Sequence, residues 1–450
     1  MAGRGVASGI PADVLSLGKR LAEAGDRTWL VGGCVRDRLI GRTPRDWDIT
    51  TSASEQVLRE RFERVERLGG RGETFLVFAA SGAPPREVTS FAGTSLEAEL
   101  CRRDFTVNAL ALPLPPPPGA APHDPAGGAA DLAARVLRAV EDPDARFSED
   151  PLRPLRGVRL EAEIGLVPEP ATLAAMARHG PGVTRAASER IRDEFLRILA
   201  TFSPSRAIER MRGTGMLAAI LPELAATVGV TQNRHHRLDI YRHSLAALDF
   251  AAQSQAADPI LRLAVLLHDI GKPTTRKMLH EEPSFIGHEI VGAAMAADRA
   301  RALRLPEAEV ERIRDLVRHH LVRYTPRWSD RALRRFLRRV RPERVQDLLC
   351  LYAADARAKD PHRFQGMPVP EEVAGLEARI RASLSQAPAL HVRDLAVGGQ
   401  DVIETLGVPA GPVVGRALEA LLERVIVDPA MNNRGRLIQA LREMGERTRD

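Results

Sequence analysis

Asp46 and Asp48 stand two residues apart in Asp46-Trp47-Asp48-Ile49, where polar and apolar positions alternate. Such alternation predicts a strand, and residues two apart on a strand project to one face. Two carboxylates on one rigid face suit magnesium ions carrying a triphosphate: hard oxygen donors hold the ions, which neutralise phosphate charge and activate an attacking hydroxyl. Upstream, Trp29-Leu30-Val31 reads as a strand end running into Gly32-Gly33. A glycine turn lets the backbone approach a phosphate closely because no Cβ stands in the way. Between the two, Val35, Leu39 and Ile40 alternate with Arg36, Asp37 and Arg38 as one short helix, ended by Gly41 and Pro44. Alone, the stretch is equally an ordinary glycine turn beside a solvated strand face.

Two arginine-rich segments come next. CRRDFTVNAL (101–110) sets Arg102 and Arg103 before Asp104 and Asn108, which suits a phosphate or ribose contact at a sheet edge. FSEDPLRPLRGVRL (147–160) repeats Asp150, Arg153, Arg156 and Arg159 at steps of three, a slowly drifting stripe on one helix. The planar donor fork of Arg153 and the acceptors of Asp150 could hydrogen-bond a base edge as another base would. Arg156 and Arg159 could hold phosphates; the alternative is a salt-bridge ladder on a solvated face. Pro154 fits such a helix only within its first turn, as it does if Asp150 is the cap.

A separate constellation lies downstream: His243 in YRHSL, His268-Asp269 in LAVLLHDIGK, His288 in FIGHE, His319 or His320, and Asp355 in YAADAR. Imidazoles and carboxylates together suit a transition metal at least as well as magnesium. Further on, Arg331, Arg334, Arg335, Arg338 and Arg339 form one basic helix face, backed by Leu333, Phe336, Leu337 and Val340. That face could lie along RNA phosphates or simply be solvated.

The elements that must position these groups are a small mixed head and a long helical body. Residues 11–26 read as a lead-in helix, Thr74–Phe78 and Glu87–Phe91 as strands, and Val107–Leu112 as a third such segment. The run Pro113–Pro118 predicts an exposed turn, and everything after Asp131 reads as helical. The 450 residues suffice for about three domains. A net charge of +6 and a pI near 9.7 favour a polyanionic partner, while only 4% aromatic residues argue against a broad base-stacking platform. No apolar run reaches a membrane span of about 18 residues, and Cys34, Cys101 and Cys350 are widely separated, as expected in a reducing cytoplasm.

GGCVRD, DWD, RRDFTVNAL, HDPAGGAADL…LRAV and EDPLRPLRGVRL occur in that order. Over about residues 28–230 the chain resembles the class II tRNA nucleotidyltransferases, the bacterial CCA- and CC-adding enzymes related to poly(A) polymerases. The resemblance implies an α/β polymerase-β-like head (1–140), an all-α neck and body (141–232), an HD domain (233–365) and a helical tRNA-binding tail (366–450). It further implies Asp46 and Asp48 as Mg2+ ligands, with Glu87 as a third catalytic carboxylate. Gly32, Gly33, Arg36 and Arg103 would contact the triphosphate, Asp150 and Arg153 the base, and Arg156 and Arg159 the rest of the nucleotide. The later histidines resemble the HD phosphohydrolases, which implies His243, His268, Asp269 and Asp355 as ligands of a metal such as Ni2+ or Mn2+. His288 and His319 or His320 would serve a second metal or a phosphate. The HVRDLAVGG tail resembles that of HD-bearing members.

Only Ala92-Gly93-Thr94-Ser95 separates Phe91 from Leu96, where CCA-adding relatives carry a longer loop associated with switching from CTP to ATP. The resemblance therefore implies an enzyme that adds CC to tRNA from CTP and depends on a separate A-adding enzyme. If another loop compensates, full CCA addition from CTP and ATP is the alternative. A poly(A) polymerase and an HD phosphohydrolase acting in tRNA end repair are the competing classes.

Overall fold

Thr28-Trp29-Leu30-Val31, a run of β-branched, aromatic and aliphatic residues, forms strand β1 (Thr28–Val31) and sits inside a six-stranded sheet. The computed structural model describes residues 9–68, 73–79, 84–92, 94–232, 237–322, 324–361, 370–386 and 389–447. The chain divides into two compact units, Met1–Pro222 and Glu223–Asp450.

In the first unit the sheet also holds β2 (Ile49–Thr51), β3 (Arg64–Arg67), β4 (Glu73–Phe78), β5 (Arg86–Ser90) and β6 (Ala111–Pro113), in the order β3-β4-β5-β2-β1-β6. Only β2 and β5 pair in parallel, with Ile49 opposite Val88; the other pairs are antiparallel. Leu30, Ile49, Phe75, Val77, Val88 and Leu112 are buried, and Val14, Leu17 and Leu21 of α1 (Ala12–Glu23) cover them. Burying each such side chain contributes about 1.5–3 kcal/mol, so the sheet is a rigid base for its loops.

Three expectations are corrected here. The strand expected across Asp46–Ile49 begins only at Ile49, although Asp48 O still accepts from Val31 N at 3.0 Å. Trp47 is buried and pins this approach to the core. The segment expected as one strand over 107–112 is a 3-10 turn (Thr106–Asn108) followed by β6, and Pro113 closes that strand instead of starting the loop. β6 is an edge strand, where a residue without an N–H costs little. The chain after Asp131 is not wholly helical: β7 (Val136–Leu137) pairs with β8 (Val167–Pro168), and Lys277–Leu279 pairs with Glu282–Ser284.

Helices α2 (Gly33–Leu39), α3 (Glu55–Arg61), α4 (Leu96–Cys101) and α5 (Gly128–Ala134) complete the head, and α6 (Pro143–Glu149) to α10 (Pro204–Gly213) come after it. Two of these frame the site, α7 (Arg153–Ile164) and α9 (Ser188–Leu199). Ile191, Phe195, Ile198 and Leu199 bury one face of α9, while Leu155, Val158 and Leu160 do the same for α7. Ion pairs Asp150–Arg190, Arg156–Glu194 and Glu163–Arg197 advance together along both elements, so the two helices run parallel.

In the second unit, Ile240–Ala252, Pro259–Leu267, His288–Ala302, Glu307–His319 and Val345–Ala358 form a helical bundle. The tail packs Val402, Leu421, Leu422, Val425, Leu437 and Leu441 into its own core. The basic face of Asp330–Val340 is not the open phosphate rail that its spacing suggested. Arg334 donates to Ile426 O at 2.8 Å, Arg335 pairs with Glu423 at 2.9 Å, and Arg338 pairs with Glu419 and Glu423. Three of the five arginines thus dock the tail helix Pro412–Val427.

Candidate nucleotide and metal sites

The turn after β1 gives the first unit its chemistry. Gly32 has φ +74, a conformation that favours glycine, and a Cβ there would lie 2.8 Å from Arg103 Nη1 and 3.4 Å from Asp48 Oδ2. Gly33 then opens α2 with its backbone N–H groups unshielded. Asp46 is exposed and Asp48 half-buried, and both line one open cleft of about 770 Å³ with Gly33, Arg36, Arg103, Asp150, Arg153, Arg156 and Arg159. Glu87 stands on β5 next to Val88, the partner of Ile49, so it neighbours Asp48 across the parallel pair without lining the cleft.

Charge crowding marks the acids. Burial and then Asp46 push the Asp48 carboxyl up, with Arg103 opposing, and burial and then Asp48 push up Glu87. Among the described residues, the tight three-ligand groupings lie elsewhere in the chain. The acid pair is therefore an open platform, which fits magnesium, an ion commonly held by one or two carboxylates plus waters and substrate phosphates. Nearby Cys34 is inert, its thiol pushed up to about 12 chiefly by burial.

The arginine stripe is more committed than its spacing suggested. Asp150 Oδ1 accepts from Leu152 N at 3.1 Å and so caps the turn that starts α7, with Pro154 inside the first turn. The Asp150 side chain is held by Arg190, not by Arg153, at 2.6 Å. Arg153 donates to Glu149 at 2.9 Å and to the Arg102 carbonyl at 2.8 Å. Arg156 meets Asp104 at 3.2 Å and Glu194 at 3.7 Å. Arg159, expected to hold phosphate, is buried instead and bonded to Glu163 at 2.5 Å and to Glu194. Asn108, read as a phosphate or ribose contact, is also buried: it accepts from Arg36 Nη1 at 2.6 Å and donates to Asp104 Oδ1 at 2.8 Å. One polar chain, Arg36–Asn108–Asp104–Arg156, thereby links the glycine turn to α7.

The second unit gathers its histidines tightly. His243, His268 and Asp269 form one possible three-ligand group, and Asp269, His288 and His320 form another that shares Asp269. Asp355 Oδ1 lies 3.0 Å from His243 Nε2 and 3.7 Å from His268 Nε2. His268, His288 and His320 each place Nδ1 2.7 Å from a backbone carbonyl, which fixes the proton there and turns Nε2 inward. The Nε2 atoms of His288 and His320 face each other at 3.3 Å, and buried His268 Nε2 lies 3.2 Å from Asp269 Oδ2. Converging lone pairs of this kind fit a transition metal. Of the two sequence candidates it is His320 that joins the cluster. Lys272 Nζ, 2.6 Å from Asp269 Oδ2, adds a cation beside it.

Comparison with known proteins decides the family. A CC-adding tRNA nucleotidyltransferase of Thermus thermophilus is 36% identical over 409 residues, 87% of this chain and 88% of that protein. The chain belongs to the tRNA nucleotidyltransferase family. An A-adding tRNA nucleotidyltransferase of Deinococcus radiodurans is similar as well, 37% identical over 343 residues, 73% of this chain and 75% of the relative. Family models for the poly A polymerase head domain match residues 28–91 and 74–138. The probable RNA and SrmB-binding site of polymerase A matches 165–227, and the HD domain matches 240–360. Among solved structures, the CCA-adding enzyme of Bacillus stearothermophilus in complex with CTP superposes with a TM-score of 0.72 at 26% identity, covering 98% of this chain and 99% of that one. The polymerase-β-like head and the helical body with its HD domain are those of this nucleotidyltransferase family.

Several residues in or beside the cleft carried no signal in the sequence. Arg42 and Arg45 line it from the turn before β2, and Arg190 and Glu194 complete the arginine stripe from α9. They lie outside the ordered motifs, and only the parallel packing of α7 and α9 brings the last two to the site. Among the described residues, no helix is long and apolar enough to cross a membrane.

Proposed function

We propose that the head cleft transfers CMP from CTP to the 3′ end of tRNA. The observation that carries this reading is the convergence of the Asp46–Asp48 pair, the Gly32-Gly33 turn and the Asp150–Arg159 stripe on one cleft. Asp46 and Asp48 are the residues to hold Mg2+, with Glu87 supporting their charge; bound there, the ions would neutralise the triphosphate and activate the RNA 3′-hydroxyl. Gly33 at the start of α2, with Arg103, cradles the triphosphate, while Arg36, buried with its guanidinium committed to Asp37 and Asn108, holds the turn in place. Asp150 accepts from the cytosine amino group while Arg153 donates to its acceptors, so side chains replace a template. Arg156 and Arg159 brace this pair through Asp104 and Glu194. The 3′-oxygen bonds to the α-phosphorus as its proton is lost, the bond to the β-phosphate breaks, and pyrophosphate leaves.

The reading is narrowed to CC addition by the short connection between β5 and α4, five residues from Phe91 to Ser95. A separate enzyme would then add the terminal A. The relatives include both CC-adding and A-adding proteins at nearly equal identity, so overall similarity does not choose between them. The test is to offer ATP to tRNA already ending in CC. CC addition predicts negligible extension; AMP transfer as fast as CMP addition to trimmed tRNA would make this a full CCA-adding enzyme.

A second activity is favoured by the inward-turned Nε2 atoms of the HD cluster: metal-dependent hydrolysis of a phosphoester, with His243, His268, Asp269 and Asp355 as the metal set and Ni2+ or Mn2+ as candidate ions. Hydrolysis of a 2′,3′-cyclic phosphate with added Ni2+ or Mn2+ is expected to disappear in His268→Ala; activity unchanged in that variant would refute it.

A further inference from the structure

Phe202 is the most exposed large apolar side chain described in the first unit, with 80% of its surface open to water, and the only aromatic among those of the whole described chain. Ordered backbone imposes this exposure. Thr201 N and Oγ1 both donate to Ile198 O, at 3.1 and 2.7 Å, and close α9, and Pro204 opens α10 two residues later. The exposed ring lines the same cleft as the Asp46–Asp48 pair, Arg197 and Ile164. Single exposed apolar side chains are ordinary on protein surfaces, but a bare aromatic on a cleft wall offers a π-face to whatever lies in the cleft.

Position says which partner covers it. The cleft wall runs along α7 and α9 in parallel from Asp150–Arg190 to Glu163–Arg197. At 1.5 Å per residue, α9 carries that wall about 14 Å from Arg190 to its end at Leu199, and Phe202 lies just beyond. A stacked strand advances about 3.4 Å per nucleotide. Phe202 is therefore several nucleotides away from the base-reading pair, out of reach of the incoming nucleotide. Every nucleobase has a π-face, and an aromatic beside arginine is the usual equipment for an unpaired strand.

We propose that Phe202 is a stacking platform for an unpaired nucleobase in the 3′ segment of the RNA, upstream of its reacting end. The assignment rests on the nucleotidyl-transfer reading and extends it to the path of the strand. It adds a base contact that does not depend on sequence, at one point only, consistent with the scarcity of aromatics elsewhere.

The test is binding of the full-length protein to tRNA ending in CC and to the same tRNA trimmed to its paired acceptor stem, without nucleotide or metal. Phe202→Ala is expected to weaken binding of the CC-ended tRNA about tenfold, the effect of one lost base–aromatic stack. Binding of the trimmed tRNA, the melting temperature and the KM for CTP should stay unchanged, and Phe202→Trp should restore affinity. Unchanged binding in Phe202→Ala, equal weakening for both RNAs, or rescue by Leu as complete as by Trp would each overturn the proposal. Because binding is read without turnover, a wild-type protein that adds no nucleotide would defeat the functional reading while leaving Phe202 tested.

Discussion

Asp150 and Arg190 meet through two contacts, Nη2 to Oδ2 at 2.6 Å and Nη1 to Oδ1 at 3.3 Å, so the proposed base reader is held by a cation from the neighbouring helix. The pair is partly exposed and adds little stability, at most about 1 kcal/mol. Its consequence is orientation: Arg190 presents Asp150 as an ionised acceptor. Arg190→Ala is expected to melt like wild type but to lower kcat/KM for CTP about tenfold and to narrow the preference for CTP over UTP, because only cytosine offers an amino donor there. Arg190→Lys should recover part of the loss. Steady-state kinetics with each nucleotide check this.

Gly32 tests the turn itself. A methyl group there meets Arg103 Nη1 at 2.8 Å on a backbone with φ +74. Gly32→Ala should cost about 1 kcal/mol of stability or more from the backbone alone. Activity should fall much further, since Arg103 must leave the proposed triphosphate site. Denaturant melts and CMP incorporation, measured together, separate the two effects.

Asp104 gives a pH-dependent prediction. Burial alone would raise its carboxyl, but Arg156 and the Asn108 amide outweigh this and hold it below the usual carboxylate range. A depressed native pKa contributes stability that is present above the unfolded value, near 3.9, and is lost as the pH falls through the native one. Asp104→Asn should therefore destabilise the protein at neutral pH by about 1–3 kcal/mol, because Arg156, partly exposed and still facing Glu194, loses its nearest countercharge. The gap to wild type should shrink below about pH 4. Unfolding free energies across pH check the sign.

In the second unit, His319 and His320 separate cleanly. His320 Nε2 is buried 3.3 Å from His288 Nε2, with its pKa lowered to about 3 chiefly by burial, whereas His319 is outside both ligand groups. His320→Ala is expected to lower the bound stoichiometry of Mn2+ or Ni2+, and His319→Ala to leave it unchanged. Equilibrium dialysis with metal analysis reads this directly.

Much of the site was legible because its chemistry sits in short ordered motifs. The Gly32-Gly33 turn, Asp46 and Asp48 needed only local spacing and the order of the arginine motifs downstream. The histidines and acids of the HD motifs do gather in one cluster, and the His319–His320 ambiguity, which adjacency in sequence cannot resolve, is resolved by the end of a helix, which places His320 in that cluster. Arg190 and Glu194 were not legible, since their importance comes from α9 lying parallel to α7. Arg159 and Asn108 were read as ligand contacts because an arginine or an asparagine looks the same in sequence whether its partner is a phosphate or a buried carboxylate. The basic face of Asp330–Val340 misled for a similar reason: its countercharges, Glu419 and Glu423, lie some eighty residues away.

The central claim is that Asp46 and Asp48 make the head cleft a nucleotidyl-transfer site, and labelled CMP incorporation into tRNA lacking its 3′ CCA measures it most directly. Wild type with CTP and Mg2+ should add two C residues and stop. Asp48→Asn should lose at least about a thousandfold in rate, the several kcal/mol that metal stabilisation of the transferring phosphoryl group supplies, while still binding tRNA. Incorporation by Asp48→Asn at the wild-type rate, or no incorporation by wild type, would contradict the account.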